Sequence, residues 1–301
     1  MDVGVIGVGV MGRNHVRVYS ELKRVGSLYL YDLNQKAADD LARKHDATAC
    51  ADLDEMLRRV DAVSVCVPTR YHYATAQQVI AREVPLLLEK PICSTAAQSR
   101  ALLAEIPEDL TVGVGHIERF NPIVGEIRRI VTRPLYVEFK RHNPASGRIT
   151  DSSVVEDLMI HDIDIMRNVL FDGAYGLSSV GTTDVCSALF TFDGTPVYLS
   201  ASRKSSKKIR SVYIEQEDMT IEGDFMTQEV YVHRKPGQYA SENERYVQEN
   251  IIEKVLVNKV EPLKVELATF LDCAKQNKPF PITPDQAATN LAICEEIARS
   301  F

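Results

Sequence analysis

Six residues near the start of the chain constrain its fold more than any others. Gly7-Val8-Gly9-Val10-Met11-Gly12 ends an apolar run over residues 2–7 that reads as a strand, and it leads into an amphipathic stretch, 14–25, that reads as a helix. Glycines at these positions permit a tight turn, close approach of a pyrophosphate to the backbone, and close helix–strand contact. The helix N-terminus adds free N–H donors and the positive end of a dipole. Asp32 ends the next strand-like run, 27–31, and lies 20 residues after Gly12, the spacing of a ribose-binding carboxylate. The same aspartate could merely open the turn Asp32-Leu33-Asn34. A carboxylate there repels a 2′-phosphate and Leu33 supplies no cation, so the pattern predicts NAD rather than NADP. Its first cofactor-binding candidates are Gly7, Gly9, Val10, Met11, Gly12 and Asp32.

The rest of the first third repeats this rhythm. Helical patterns at 35–45, 52–59, 73–82 and 96–104 alternate with apolar runs at 62–67, 85–88 and 111–114. Alternation of that kind predicts βαβ units on a doubly wound parallel sheet. Beyond residue 118 the pattern changes. A helix at 122–130, an alternating strand at 135–141 and a long helix at 152–170 precede strand patterns at 185–192, 196–202, 209–215, 219–223 and 229–234. Their spacing predicts hairpins and a mostly antiparallel sheet. Two helices, 264–276 and 285–301, close the chain, the second entered through Thr283 as cap and Pro284 at the first helical position. The expected fold is α/β: an NAD-binding Rossmann domain over 1–118, then an α+β domain over 119–301 for substrate binding and oligomerisation.

Composition removes other classes. The 301 residues are 45% hydrophobic and 26% charged, which suits globular domains with their own cores. A net charge of −7 argues against general nucleic-acid binding, which needs a basic face. No apolar run is long enough to span a bilayer, and the N-terminal stretch lacks the basic start of a signal peptide. The six cysteines are scattered without a CxxC pair. That argues against a zinc site or a disulfide framework, and for a reducing cytoplasm.

Two further motifs carry chemistry. Glu89-Lys90-Pro91 follows the strand at 85–88, at the carboxyl edge where such sheets bind ligands. A lysine there can hold a substrate hydroxyl, and a cis bond to Pro91 could fix it; a lysine before proline can equally be a plain surface residue. In Glu156-Asp157-Leu158-Met159-Ile160-His161-Asp162-Ile163-Asp164, Ser153 and Glu156 form a capping box that starts the helix near Val154. Asp157 and His161 then share a face, where a carboxylate can orient an imidazole as general base. The alternatives are an ordinary polar helix face, or a metal set of Asp157, His161 and Asp164. Oxidation by NAD needs only a base and a hydride acceptor, so no metal is expected.

Taken together, the glycine motif with Asn14-His15 after it, Val67-Pro68 with His72, Glu89-Lys90-Pro91, and Asp157 four residues before His161 resemble the Gfo/Idh/MocA oxidoreductases across essentially the whole chain. That family pairs a Rossmann domain with an α/β domain built on an open antiparallel sheet, and it forms dimers or tetramers. The resemblance implies NAD(P)-dependent oxidation of a secondary alcohol of a sugar, cyclitol or nucleotide sugar. It implies that Lys90 is the catalytic lysine, that Asp157 and His161 are the Asp/His pair with His161 as base, and that Pro68, His72 and Glu89 adjoin the cofactor. Thr69 stands where many members carry Asn, and Met159 where many carry Gly. Residues 115–122, 157–164 and 261–263 resemble the subgroup that oxidises the 3-hydroxyl of UDP-N-acetylglucosamine to a 3-keto sugar; inositol and free-sugar dehydrogenases are the nearest alternative. A non-catalytic NAD-binding regulator would not need both Lys90 and His161, and a biliverdin reductase-like enzyme would not need the Asp157/His161 helix. For a diphosphate-bearing substrate the candidate contacts are Lys90, Asn121, Arg141, Arg148, Asp157 and His161, with Lys140 nearby and a second cluster of Arg203, Lys204, Lys207, Lys208 and Arg210. That second cluster can also be read as a solvated hairpin tip. The expected partners are a small sugar or nucleotide sugar and further copies of the chain, as a homodimer or homotetramer, with no nucleic acid and no membrane.

Overall fold

In the computed structural model of the chain the described residues are 1–144, 152–235, 239–242, 245–248, 251–299 and 301. They divide into two units, Met1–Phe120 with Glu261–Glu295, and Asn121–Val260 with Glu296–Phe301. In the first unit, β1 (Val3–Ile6), α1 (Val10–Glu21), β2 (Leu28–Tyr31), α2 (Gln35–His45), β3 (Thr48–Ala49), α3 (Leu53–Leu57), β4 (Ala62–Val65), α4 (His72–Ile80), β5 (Leu86–Glu89), α5 (Ala96–Leu103) and β6 (Val112–Gly115) follow one another. The strands pair in parallel in the order β3-β2-β1-β4-β5-β6. β1, β4, β5 and β6 are buried at every residue, as strands covered on both faces must be. That is why they read as continuous apolar runs. Side chains cap the helices: Asn34 accepts from the Ala37 N–H, Asp52 from Glu55 and Thr95 from Gln98. The order reverses between β1 and β4, so their carboxyl ends open the crevice where such sheets bind ligands. β3 has only two residues, too short to leave a period in the sequence.

The second unit opens with α6 (Pro122–Ile130) and β7 (Tyr136–His142). The central turn and a half of the long predicted helix is α7 (Ile160–Ile165), flanked by π-helical turns at Val155–Met159 and Met166–Leu170. Then come β8 (Gly176–Gly181), β9 (Val185–Phe192), β10 (Thr195–Ser202), β11 (Ile209–Glu215), β12 (Met219–Asp224), β13 (Glu229–Arg234), β14 (Tyr239–Glu242), β15 (Arg245–Gln248) and β16 (Ile251–Lys254). Eight strands form one sheet in the order β16-β13-β12-β11-β7-β10-β9-β8, antiparallel except for the parallel pair β7 and β10. β9 and β10 alternate between buried residues, such as Phe190 and Leu199, and exposed or half-exposed ones, such as Leu189 and Tyr198. One face is therefore covered and the other open. The sheet is mostly antiparallel, as expected; β8 and β16 extend it beyond the strands read from sequence, and β14 pairs with β15 in a separate two-stranded sheet.

The closing helices are α8 (Pro262–Gln276) and α9 (Pro284–Ala298). The sequence places them with everything after residue 118, whereas Glu261–Glu295 packs with the first unit. The cause is local: α8 buries Leu263, Leu267, Phe270 and Leu271 in the first unit's core. Phe280 lies so close over Gly113 of β6 that a Cβ there would sit 2.3 Å from its ring. Amphipathicity shows that a helix has a face to cover, not which sheet covers it. Among the described residues no helix is long and apolar enough to cross a membrane.

Candidate active site

The turn from β1 to α1 is glycine by necessity at two positions. Gly7 has φ +89°, and a Cβ there would lie 2.8 Å from the Val67 nitrogen. A Cβ on Gly12 would sit 1.8 Å from the Gly7 carbonyl oxygen. Gly9, in contrast, faces open space. α1 begins there with no side-chain cap and no acid in its first turn, so its N–H donors and dipole remain available to an anion. Val10 is 60% exposed and Met11 half-buried beside it. The Asp32 carboxylate accepts from the Val8 N–H at 2.7 Å and from the Asn34 N–H at 2.8 Å. Each oxygen keeps a lone pair for a ribose hydroxyl. These features fit a dinucleotide, with pyrophosphate on the turn and ribose on Asp32.

Two neighbouring strand ends bring the second set together. After β4, Pro68 is exposed at the head of a short 3₁₀ turn, Thr69–Tyr71. His72 is 1% exposed, with Nδ1 2.7 Å from the Pro91 carbonyl oxygen and Nε2 2.9 Å from that of Val67. Burial draws this imidazole below its ordinary value, against the carbonyl bonds and the Glu89 charge. Glu89 ends β5 and is itself buried. Its Oε1 accepts from His15 Nε2 at 2.9 Å, and its Oε2 accepts from the Lys90 N–H at 3.2 Å. Burial pushes the Glu89 carboxyl up, but His15, Lys90 and His72 together hold it below the usual carboxylate range. Lys90 is half-buried and its bond to Pro91 is cis. Pro68 thus borders the crevice, while His72 and Glu89 are enclosed and grip the protein's own loops. The link from His15 to Glu89 spans 74 residues, and no sequence pattern announces it.

In the second unit the capping box forms as read: Glu156 Oε2 accepts from the Ser153 N–H at 3.0 Å, and the Ser153 hydroxyl accepts from the Glu156 N–H at 3.4 Å. Asp157 and His161 are both half-buried, while Met159, Asp162 and Asp164 between and beyond them are buried. The π-helical turn holding Asp157 is invisible in the sequence, and such turns recur at functional sites. Arg141 is fully enclosed, with Nε 3.0 Å from both Asp162 carboxylate oxygens and a terminal nitrogen 2.7 Å from Oδ1. Its guanidinium carbon lies 5.3 Å from the centre of the Phe225 ring. This arginine therefore binds the α7 helix to β7 rather than presenting a cation to a ligand. Asn121 is likewise 3% exposed, donating to the Phe225 carbonyl at 2.9 Å and capping α6 through the Ile123 N–H. Arg203 and Lys204 pair with Asp184 at 3.1 and 2.9 Å. Lys207 and Lys208 are exposed, Lys140 pairs with Glu138, and Arg210 lies opposite Arg141 in the ladder between β11 and β7. Arg148 lies outside the described residues. Among the described residues no three His, Cys, Asp or Glu side chains come together to hold a metal.

Residues 1–116 match a family described as an oxidoreductase family with an NAD-binding Rossmann fold. The chain is 31% identical over 246 residues to UDP-N-acetylglucosamine 3-dehydrogenase of Acidithiobacillus ferrooxidans, spanning 78% of this chain and 77% of that one. The chain belongs to the Gfo/Idh/MocA oxidoreductase family. It is an NAD-dependent dehydrogenase of that family. The solved structure of the Acidithiobacillus enzyme, GnnA, superposes with a TM-score of 0.89 at 27% identity, over 100% of this chain and 97% of that one. Inositol 2-dehydrogenase of Paracoccus denitrificans is 30% identical over 190 residues, covering 58% of this chain and 56% of that one. Levoglucosan dehydrogenase in complex with NADH and levoglucosan shares the fold, with a TM-score of 0.84 at 16% identity.

Proposed function

We propose that this chain oxidises the 3-hydroxyl of UDP-N-acetylglucosamine to the 3-keto sugar. The observation that carries this reading is the length of its likeness to a dehydrogenase of that name. A match over 78% of the chain reaches well into the second unit, which we assign to substrate binding, whereas the inositol dehydrogenase matches just over half. The roles are carried onto this chain residue by residue from the family it belongs to. Gly9, Val10, Met11 and Gly12 hold the pyrophosphate, and Asp32 holds a ribose. When bound, NAD accepts the hydride that leaves the sugar carbon. Lys90 holds the reacting hydroxyl with its ammonium. His161, oriented by Asp157, takes the hydroxyl proton. Holding the reacting groups together supplies several kcal/mol of the barrier reduction, up to roughly 7–11 in favourable cases.

The free cysteines at 50, 66, 93, 186, 273 and 294 support a reducing, cytoplasmic setting. On the open face of the second sheet Val180 is 70%, Val185 42% and Leu189 44% exposed, and we assign this face to contact between copies. Sedimentation of the purified chain should show a dimer or tetramer; a monomer at all concentrations would contradict that. For the substrate, the test is NADH formation with a panel of UDP-sugars, free sugars and inositols, with an aminotransferase and glutamate to draw off the keto product. Reduction with UDP-N-acetylglucosamine alone is expected. Reduction with inositol or a free sugar would keep the family chemistry and overturn the substrate.

A further inference from the structure

The end of β5 is held by more contacts than a strand terminus needs. Glu89 and Gly115 face each other in the β5–β6 ladder. A Cβ on Gly115 would lie 3.1 Å from Glu89 Oε1 and 3.2 Å from its Cδ, so the missing side chain leaves the space that the carboxyl group fills. His15 closes the group from the other side at 2.9 Å, reaching across from α1, the helix whose first turn is the glycine turn. Both partners are buried, His15 at 0% and Glu89 at 6% exposure. The second carboxylate oxygen takes the main-chain N–H of Lys90, and one residue further on the Pro91 carbonyl meets the His72 ring. The backbone of Lys90 is thereby fixed from both directions by buried side chains.

We propose that His15 and Glu89 are positioning residues for Lys90, tying the lysine's backbone to the cofactor-binding helix; this rests on the assignment of Lys90 to the reaction. An ionised carboxylate inside a protein requires a partner with good geometry, and here the partner is a histidine on α1. The pair makes one rigid body of α1 and the Lys90 loop. Glu89 carries a buried negative charge, held ionised by His15, Lys90 and His72 against the effect of burial. Neither residue needs to touch the sugar to matter, since a misplacement of about 1 Å can cost on the order of 100-fold in rate.

The test compares H15A, H15Q and E89Q with K90A, using whichever sugar of the panel the native chain oxidises. Turnover by H15A is expected to fall about 100-fold, while NAD affinity, read by isothermal titration calorimetry, changes little. H15Q, which returns an N–H donor near Nε2, should regain much of the loss, and E89Q should shift the pH profile of turnover. Combined with K90A and assayed at high enzyme concentration, H15A should add almost nothing, because coupled residues are non-additive. The same fractional loss with and without Lys90, or a loss of NAD affinity that accounts for the fall in turnover, would overturn the proposal. Should H15A not fold, H15Q and E89Q carry the comparison, and normal turnover with an unmoved pH profile in both would overturn it equally. Normal turnover by K90A itself would instead remove the role of Lys90 on which the proposal stands.

Discussion

Replacing Lys90 with alanine is expected to lower turnover by roughly 10³-fold while NAD still binds. The expectation follows from position. Lys90 lies just past the carboxyl end of β5, two strands from β1 in the parallel sheet, with its backbone clamped by Glu89 and His72. The glycine turn, the uncapped start of α1 and Asp32 stand on other strands and helices. In the proposed roles, the substitution removes an ammonium from the reacting hydroxyl and leaves the pyrophosphate and ribose contacts in place. Steady-state rates with a turned-over sugar, beside a direct NAD binding measurement, separate the two effects. A variant with native turnover would remove Lys90 from the chemistry; one that no longer binds NAD would make it a cofactor residue.

A comparably large effect is expected on stability from Arg141→Met. Removing the arginine strands Asp162, 2% exposed, without the guanidinium that satisfies both its oxygens. Breaking a buried pair from one side costs about 3–5 kcal/mol. Removing both partners, as in R141M with D162N, should recover much of that, because replacing a buried pair with apolar or neutral groups is often close to neutral. Unfolding of the second unit in denaturant, followed for the single and double variants, gives the comparison. A loss within about 0.5 kcal/mol for R141M, as is usual for surface sites, would mean that Arg141 is not locked to Asp162. It would return to the group of substrate-facing cations.

That contrast shows where sequence reasoning reached and where it stopped. The glycine turn, the parallel sheet and the capping box were legible because each rests on short-range rules: a backbone conformation, an apolar run, or a cap three residues from its partner. The place of Asp32 just past β2 was legible by spacing for the same reason. Arg141 and Asn121 were read as substrate contacts without sight of their burial or their protein partners, because both are long-range properties. A lone arginine near a catalytic helix looks like a phosphate ligand until Asp162 and Phe225 are seen around it. Glu89 and His72 were placed beside the cofactor by the family resemblance, and their side chains turn inward to His15 and to two backbone carbonyls. The π-helical turns around α7 have no sequence period of their own. The return of α8 to the first unit depends on Phe270 and Phe280 finding the first sheet, a choice that amphipathicity leaves open.

The most direct test of the central claim is the fate of one hydrogen. UDP-N-acetylglucosamine labelled with deuterium at carbon 3 of the sugar would be incubated with the purified chain and NAD, and the nucleotide product examined by mass spectrometry. The account predicts that deuterium leaves the sugar and appears in NADH, with a primary isotope effect when chemistry limits the rate, and that this transfer is lost in K90A. NADH formed without deuterium, while the label stays on the sugar, would show that another position is oxidised and would contradict the assignment of the 3-hydroxyl.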